Sequence, residues 1–342
     1  MKNIQYDSFR KNTRERTLTD VIIIVLFCLL MISFRQVSRL AKYKNNWSLR
    51  YNTPINGQAA REALLHAVDN PENGLWPTFW REDDVLLKNE LSEASAYGIK
   101  YSGDGFLVWP ANFIQGGWPG VTDEFGCVVS TDLAWNLWGS YDIVGKKVII
   151  EDEIYYVRGV IEDKNNVCLI SMDAATCSDG WQAIEFHNEV GLQRSDIEIF
   201  VRIGGIREPD ILLNGSGFFI ISLILALFPV LLLGILLLSR WISLIGNGRS
   251  FVTRIIIVAL IIAIAVILPW ILDLFPAWVI PAKWSDFSHW TALAGQFSGF
   301  IDSIFRLIPG MRDIILKKTL VTLIALSSFC SPLAIWLSER CR

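Results

Sequence analysis

Histidine is scarce in this 342-residue chain: His66, His187 and His289 are the whole supply, and they are scattered. Of the six cysteines, Cys28, Cys127, Cys168, Cys177, Cys330 and Cys341, no two have Cys-x-x-Cys spacing. A metal centre therefore has little support. No Gly-x-x-x-x-Gly-Lys-Ser/Thr run occurs, and Gly246-Asn247-Gly248 is not a phosphate loop, so ATP hydrolysis by a P-loop mechanism is excluded for this chain. Ser130 follows an apolar run and precedes a helical pattern, yet the Gly-x-Ser-x-Gly frame is missing and no histidine accompanies it. The acidic clusters Asp83-Asp84, Glu151-Asp152-Glu153 and Glu162-Asp163 fall where turns are expected and read as solvated turn residues. No catalytic set and no cofactor is implied; the chain does not read as an enzyme.

Net charge is also small, at −3, but it is unevenly spread. Between Asn45 and Gly215 there are 26 acidic and 12 basic side chains, leaving 8 acidic and 19 basic elsewhere. An acidic middle repels phosphates, which argues against nucleic acid as a partner. What the chain has in quantity is apolar residues, at 52%. That excludes a disordered protein and makes an ordinary soluble enzyme a poor fit.

The apolar residues gather into four runs, giving a multi-pass α-helical membrane protein. Val21 to Phe34, extended through Leu40, forms a first span over residues 20–40 if Arg35 and Arg39 snorkel to the headgroups. No small-residue cleavage site comes after it, so a retained anchor is favoured over a signal peptide. Further spans cover 216–239, 255–273 and 319–338. Lys2, Arg10, Lys11, Arg14 and Arg16 precede the first span, Arg240, Arg249 and Arg254 lie in the 240–254 loop, and Arg340 and Arg342 close the chain. The positive-inside rule makes residues 1–19, 240–254 and 339–342 cytoplasmic, although Lys42, Lys44, Lys317 and Lys318 run against it. The acidic block 41–215 and the loop 274–318 are then extracytoplasmic. In that loop Trp290, Leu293, Phe297, Phe300, Ile301, Ile304 and Ile308 recur at helical spacing. Such a helix suits either the membrane interface or packing against the external domain.

The external block reads as α+β. Gly57–Asp69 carries a helical pattern; Thr78–Arg81, Tyr97–Tyr101, Phe106–Trp109 and Ile197–Ile203 read as strands. Within Gly126–Glu162 the order is strand, short helix, turn, strand, turn, strand. Cys127–Ser130 is the first strand, and Thr131 or Asp132 caps a helix over Leu133–Trp138 that Gly139 ends. Gly145 opens a strand over Lys146–Glu151, and Ile154–Ile161 comes next. Trp76, Trp80, Trp109, Trp118, Trp135, Trp138 and Trp181 fall in this block, as expected mainly for core packing. Cys168 and Cys177, nine positions apart, could pair in an oxidising compartment or remain thiols.

The residues of this stretch carry a resemblance. Val128, Val129, Ser130, Ala134, Leu137, Trp138, Gly139, Asp142, Gly145, Lys146, Tyr156, Val157, Gly159 and Val160, with Gly117, Asp123 and Glu124 upstream, resemble the periplasmic core domain of MacB/FtsX-type ABC transporter permeases. Trp118 and Pro119 replace that family's usual residues. The resemblance implies one span, a large extracytoplasmic domain split into two subdomains, then three spans. It also implies a separate ABC-type ATPase chain as partner, a homo- or heterodimer of permeases, and no chemistry by this chain. Arg240, Trp241, Leu244, Arg249 and Arg254 are where ATPase contact is expected. The loop Ser239–Arg254 is short for that task, which leaves a membrane-anchored sensor or accessory protein, not coupled to ATP, as the alternative.

Overall fold

The computed structural model describes residues 2–70, 75–120, 122–187, 192, 194–245, 279–307 and 310–340. They fall into two compact units, one helical (Met1–Lys42, Ser216–Ser298, Asp313–Arg342) and one mixed (Tyr43–Gly215, Gly299–Arg312).

The helical unit is built on α1 (Lys2–Ala41), α6 (Gly215–Ile245), the first part of α7 (Phe287–Arg306) and most of α8 (Met311–Arg340). Thr17–Ala41, Gly215–Arg240 and Met311–Arg340 are long and apolar enough to cross a membrane. The run expected to span at 255–273 lies outside the described residues, as do Arg249 and Arg254. Leu26 of α1 and Cys330 and Leu337 of α8 are buried together, with Leu29, Leu233 and Trp336 packed around them. Many other apolar side chains of these helices are exposed, Ile24, Phe27, Ile235 and Phe329 among them, which suits a lipid environment better than water. In α7, Leu293 and Phe300 are buried whereas Phe287 and Phe305 are more than four-fifths exposed. Of the expected stripe, Trp290, Leu293, Phe297, Phe300, Ile301 and Ile304 lie on α7, and Ile308 lies outside the described residues.

The mixed unit is a single ten-stranded sheet. Its strands are β1 (Asn46–Ile55), β2 (Pro77–Lys88), β3 (Glu93–Ser102), β4 (Phe113–Gly116) and β5 (Gly126–Ser130). They continue with β6 (Lys147–Ile150), β7 (Glu153–Ile161), β8 (Val167–Ser171), β9 (Trp181–His187) and β10 (Ile211–Asn214). The order is β10-β1-β9-β2-β3-β8-β5-β7-β4, with β6 bridging β2 and β7. Pairings β3–β8 and β5–β7 are parallel and the others antiparallel. Helices α2 (Gly57–Asp69), α3 (Gly105–Val108), α4 (Thr131–Trp138) and α5 (Arg194–Ile203) decorate it.

β2 is the spine. Its odd-numbered residues point to one face: Phe79 joins a core with Leu49, Trp181, Ile184 and Phe186, against Ala60 and Ala63 of α2 and Phe200 of α5. Val85 and Leu87 join a second core with Cys127, Val129, Val157 and Leu133 and Leu137 of α4. Between them Arg81 and Asp83 form a polar seam. On the opposite face Trp80, Ile99, Val128 and Leu169 form a third cluster under Val108, Trp109 and Met311.

Three segments differ from the sequence expectation, the first being Asp83-Asp84, which lies within β2 and not in a turn. Ile197–Ile203 is helix, not strand. Its apolar residues satisfy both periods, but Ile197, Phe200 and Val201 are buried while Ile199 and Ile203 are exposed, as a 3.6-residue repeat requires. The Arg194–Glu198 ion pair lies on its outer face, and Gly205 ends it at φ +64°. Phe106–Trp109 is also not a strand. Asp104 accepts the Phe106 N–H at 2.9 Å and so caps the single turn α3.

Candidate functional site

The motif residues come together as one layer: β5 enters, α4 crosses over, and β7 returns parallel to β5 with β6 beside it. Ser130, not Thr131 or Asp132, is the cap of α4. It ends β5 in extended conformation, fully buried, and its Oγ accepts the N–H of Leu133 (3.3 Å) and of Val167 (3.1 Å). One hydroxyl thus ties the crossover helix to β8. Gly139 closes the helix at φ +62°, and Gly145 turns at φ +84° with its N–H bonded to Val157 O at 2.7 Å. Both conformations suit glycine because it lacks a Cβ. Gly159 is needed for another reason: a Cβ there would stand 2.4 Å from the Phe113 ring.

The approach residues are also joined. Asp123 Oδ2 accepts Arg158 Nε at 2.6 Å, and Gly117 N–H bonds to Arg158 O. The Asp123 hydrogen bond pushes the Arg158 guanidinium above its ordinary range. Asp142 Oδ1 accepts Gln115 Nε2 at 2.8 Å. Val128, Val129, Ala134, Leu137, Val157 and Val160 are core; Glu124 and Lys146 are exposed; Trp138 and Tyr156 are half-buried. These residues build a scaffold and do not converge on a reaction centre. Among the described residues no group of histidine, cysteine and carboxylate side chains could hold a metal ion.

The suggested Cys168–Cys177 pair does not meet. Both are buried free thiols, Cys168 in the second core and Cys177 in the first. Cys168 instead neighbours Cys127 across the β5–β8 pairing; their hydrogen bond, then burial, raises its pKa. Burial raises that of Cys177. Of the tryptophans, Trp80, Trp109 and Trp181 are core, whereas Trp76 and Trp135 are exposed. Arg240, Trp241 and Leu244 lie on the last turns of α6.

Two charged constellations escaped the sequence reading. The first is the seam on β2. Arg81 is bonded to Asp83 by both Nε (2.7 Å) and Nη2 (2.9 Å), and to Gly180 O. Burial opposes the Arg81 charge, but Asp83 outweighs it and the pKa rises. Lys100, 7% exposed, bonds to Glu151, which sits with Asp152 in a left-handed turn at φ 52° and 70°. A shallow depression of about 410 Å³ opens beside Gly180, lined by Asn56, Gly57, Cys177, Ser178 and Asp179.

The second is Glu185, 0% exposed in β9. Its Oε1 accepts from Ser48 Oγ (2.6 Å), Arg312 Nη1 (2.6 Å) and Trp80 Nε1 (3.2 Å), with Arg50 Nη2 at 3.8 Å. The Trp80 ring lies 4.3 Å from the Arg50 guanidinium and 5.3 Å from that of Arg312. A buried carboxylate needs such partners, because desolvating it unpaired is costly. Two signals could have pointed here. Glu185 interrupts the apolar strand Trp181–Phe186, and Arg312 stands in the first turn of a helix, where the dipole disfavours a cation.

No protein-family model matches the chain, and no curated protein matches it either. Among solved structures it is similar to the extracellular domain of the noncanonic ABC-type transporter YknZ from Gram-positive bacteria. Identity is 11% and the TM-score 0.39, over 48% of this chain and 97% of that one. It is also similar to the periplasmic region of MacB from Actinobacillus actinomycetemcomitans, at 13% identity and TM-score 0.42, over 51% of this chain and 90% of that one.

Proposed function

We propose that this chain is the permease subunit of a MacB-type ABC transporter. ATP hydrolysis by a separate cytoplasmic ATPase is coupled through it to motion of an extracytoplasmic domain, for export or mechanotransmission. The observation that carries the reading is the scaffold on which the resemblance rests. Ser130, Gly139, Gly145 and Gly159 each meet a local requirement within one β-α-β-β layer, in a mixed unit that comes after one apolar helix and precedes others. The acidic balance of that unit and the basic flanks of the spans support an extracytoplasmic domain with cytoplasmic termini. No side chain does chemistry. The ATPase contact falls at Arg240, Trp241, Leu244, Arg249 and Arg254, and two such subunits, alike or unlike, assemble in the plasma membrane. Substrate class has no signature here.

Capture of the tagged full-length chain from its native cells in detergent, with mass spectrometry of the co-purifying proteins, tests the reading. Recovery of an ABC ATPase is expected, with its association lost when Arg240, Arg249 and Arg254 are replaced together. Recovery of none, with the chain abundant and folded, sinks it. That result favours the alternative that the short 240–254 loop motivates, a membrane-anchored sensor or accessory protein.

A further inference from the structure

Several contacts converge on the start of α8. Arg312, 3% exposed, reaches Glu185 from 127 positions away. The backbone N–H of Met311 donates to the Tyr97 hydroxyl (2.9 Å) and to Glu82 Oε2 (3.2 Å), so a carboxylate sits at the electropositive end of the helix. Gly310 lies against that same carboxylate, and a Cβ there would run into it. The Met311 side chain packs on the third cluster, and the Tyr43 ring lies 5.0 Å from the Arg312 guanidinium. Residues 310–312 are therefore held on β2, β3 and β9 by charge, backbone hydrogen bonds and packing together.

Helix stability does not explain Arg312, since a cation in a first turn opposes the dipole. A buried guanidinium is retained only with a partner, and losing one member of such a pair is strongly unfavourable. From these residues α8 runs on without a break to Arg340, through the apolar stretch long enough to cross a membrane.

We propose that Gly310-Met311-Arg312 is a coupling clasp. It fastens the first turn of α8 to the middle of the sheet, so that displacement of the helix is imposed on β2, β3 and β9 and not absorbed in a loop. The attachment stands by itself; its use in transmitting motion rests on the permease reading.

Hydrogen exchange of the full-length protein in lipid nanodiscs tests both parts. Arg312→Gln should speed exchange in β9, the Thr78–Glu82 stretch and the first turn of α8 by on the order of 100-fold. Tyr97→Phe should give a smaller rise confined to that turn. Arg306→Gln, which removes an exposed pair with Asp302, should stay within about twofold everywhere. Unchanged exchange in Arg312→Gln overturns the clasp. Where that variant does not fold, unchanged exchange in Tyr97→Phe and Glu82→Gln overturns it. With an associated ATPase, Arg312→Gln should keep ATP turnover but lose ATP-dependent exchange changes in β2, β3 and β9; their persistence overturns the coupling role. If no ATPase associates, the permease reading fails, and the ATP-free exchange still decides the attachment.

Discussion

The two cores on one face of the sheet differ in how the chain assembles them. The core under α4 draws its residues from Val85 to Ile170, a continuous stretch. The core under α2 and α5 takes Leu49 to Phe79 from before that stretch and Ala174 to Ile206 from after it. Its defining pairing, Trp47 with Phe186, joins the two ends of the unit. One core is held by caps, glycine turns and a crossover that neighbours in sequence can specify. The other exists only once distant strands have met. Entropy of loop closure delays such contacts, so locality marks a difference in folding as well as in layout.

Substitutions can break or sharpen this contrast. The largest effect is expected for Trp181→Ala, which empties a fully buried site and strands the Ala174 carbonyl that its indole N–H now reaches at 2.9 Å. Chemical unfolding of the full chain should show a loss of about 3–5 kcal/mol. Hydrogen exchange should rise in β1, β9, α2 and α5 while β5, β7 and β8 keep their protection. Equal loss in both would mean that the sheet opens as one body and that the contrast is only descriptive.

In the continuous core, Gly159→Ala should cost about 3 kcal/mol, because the new methyl meets both the Phe113 ring and the Gly117 carbonyl. A loss below the precision of an unfolding curve would show that β4 gives way freely. Ser130→Ala comes next, at about 2 kcal/mol, since it leaves two buried N–H groups, of Leu133 and Val167, without their acceptor. Ser130→Thr should recover part of that loss if the hydroxyl is what matters. Smallest is Asn56→Ala at the start of α2, where one exposed cap to Gln58 N–H is removed, at about 1 kcal/mol. The thermal midpoint should move by a few degrees in the last case.

Legibility in the sequence divided along the same line. Gly139 and Gly145 could be placed because each sits in a left-handed conformation at the end of an element, and short-range pattern alone marks such points. The cap of α4 lies one residue before Thr131 and two before Asp132, as Ser130, Thr131 and Asp132 are all competent acceptors. The choice fell to Ser130 because its hydroxyl also serves Val167 of β8. α5 was misread because alternating isoleucines satisfy a strand as well as a helix, and contacts with Phe186 and its neighbours decided between them. Of the charged groups, Arg158 with Asp123 fell near the recognised motif. Glu185 with Arg312 did not, because neither residue's role can be seen without the other.

That last pairing sets a clock on synthesis. Glu185 leaves the ribosome 127 residues ahead of Arg312. At about 5–20 residues per second the interval is roughly 6–25 s. For that time the sheet carries a carboxylate destined for full burial while its closest guanidinium has yet to be made. The stretch Tyr43–Gly215 therefore cannot reach its final state before Arg312 is made, and the closing step waits for α8 to begin.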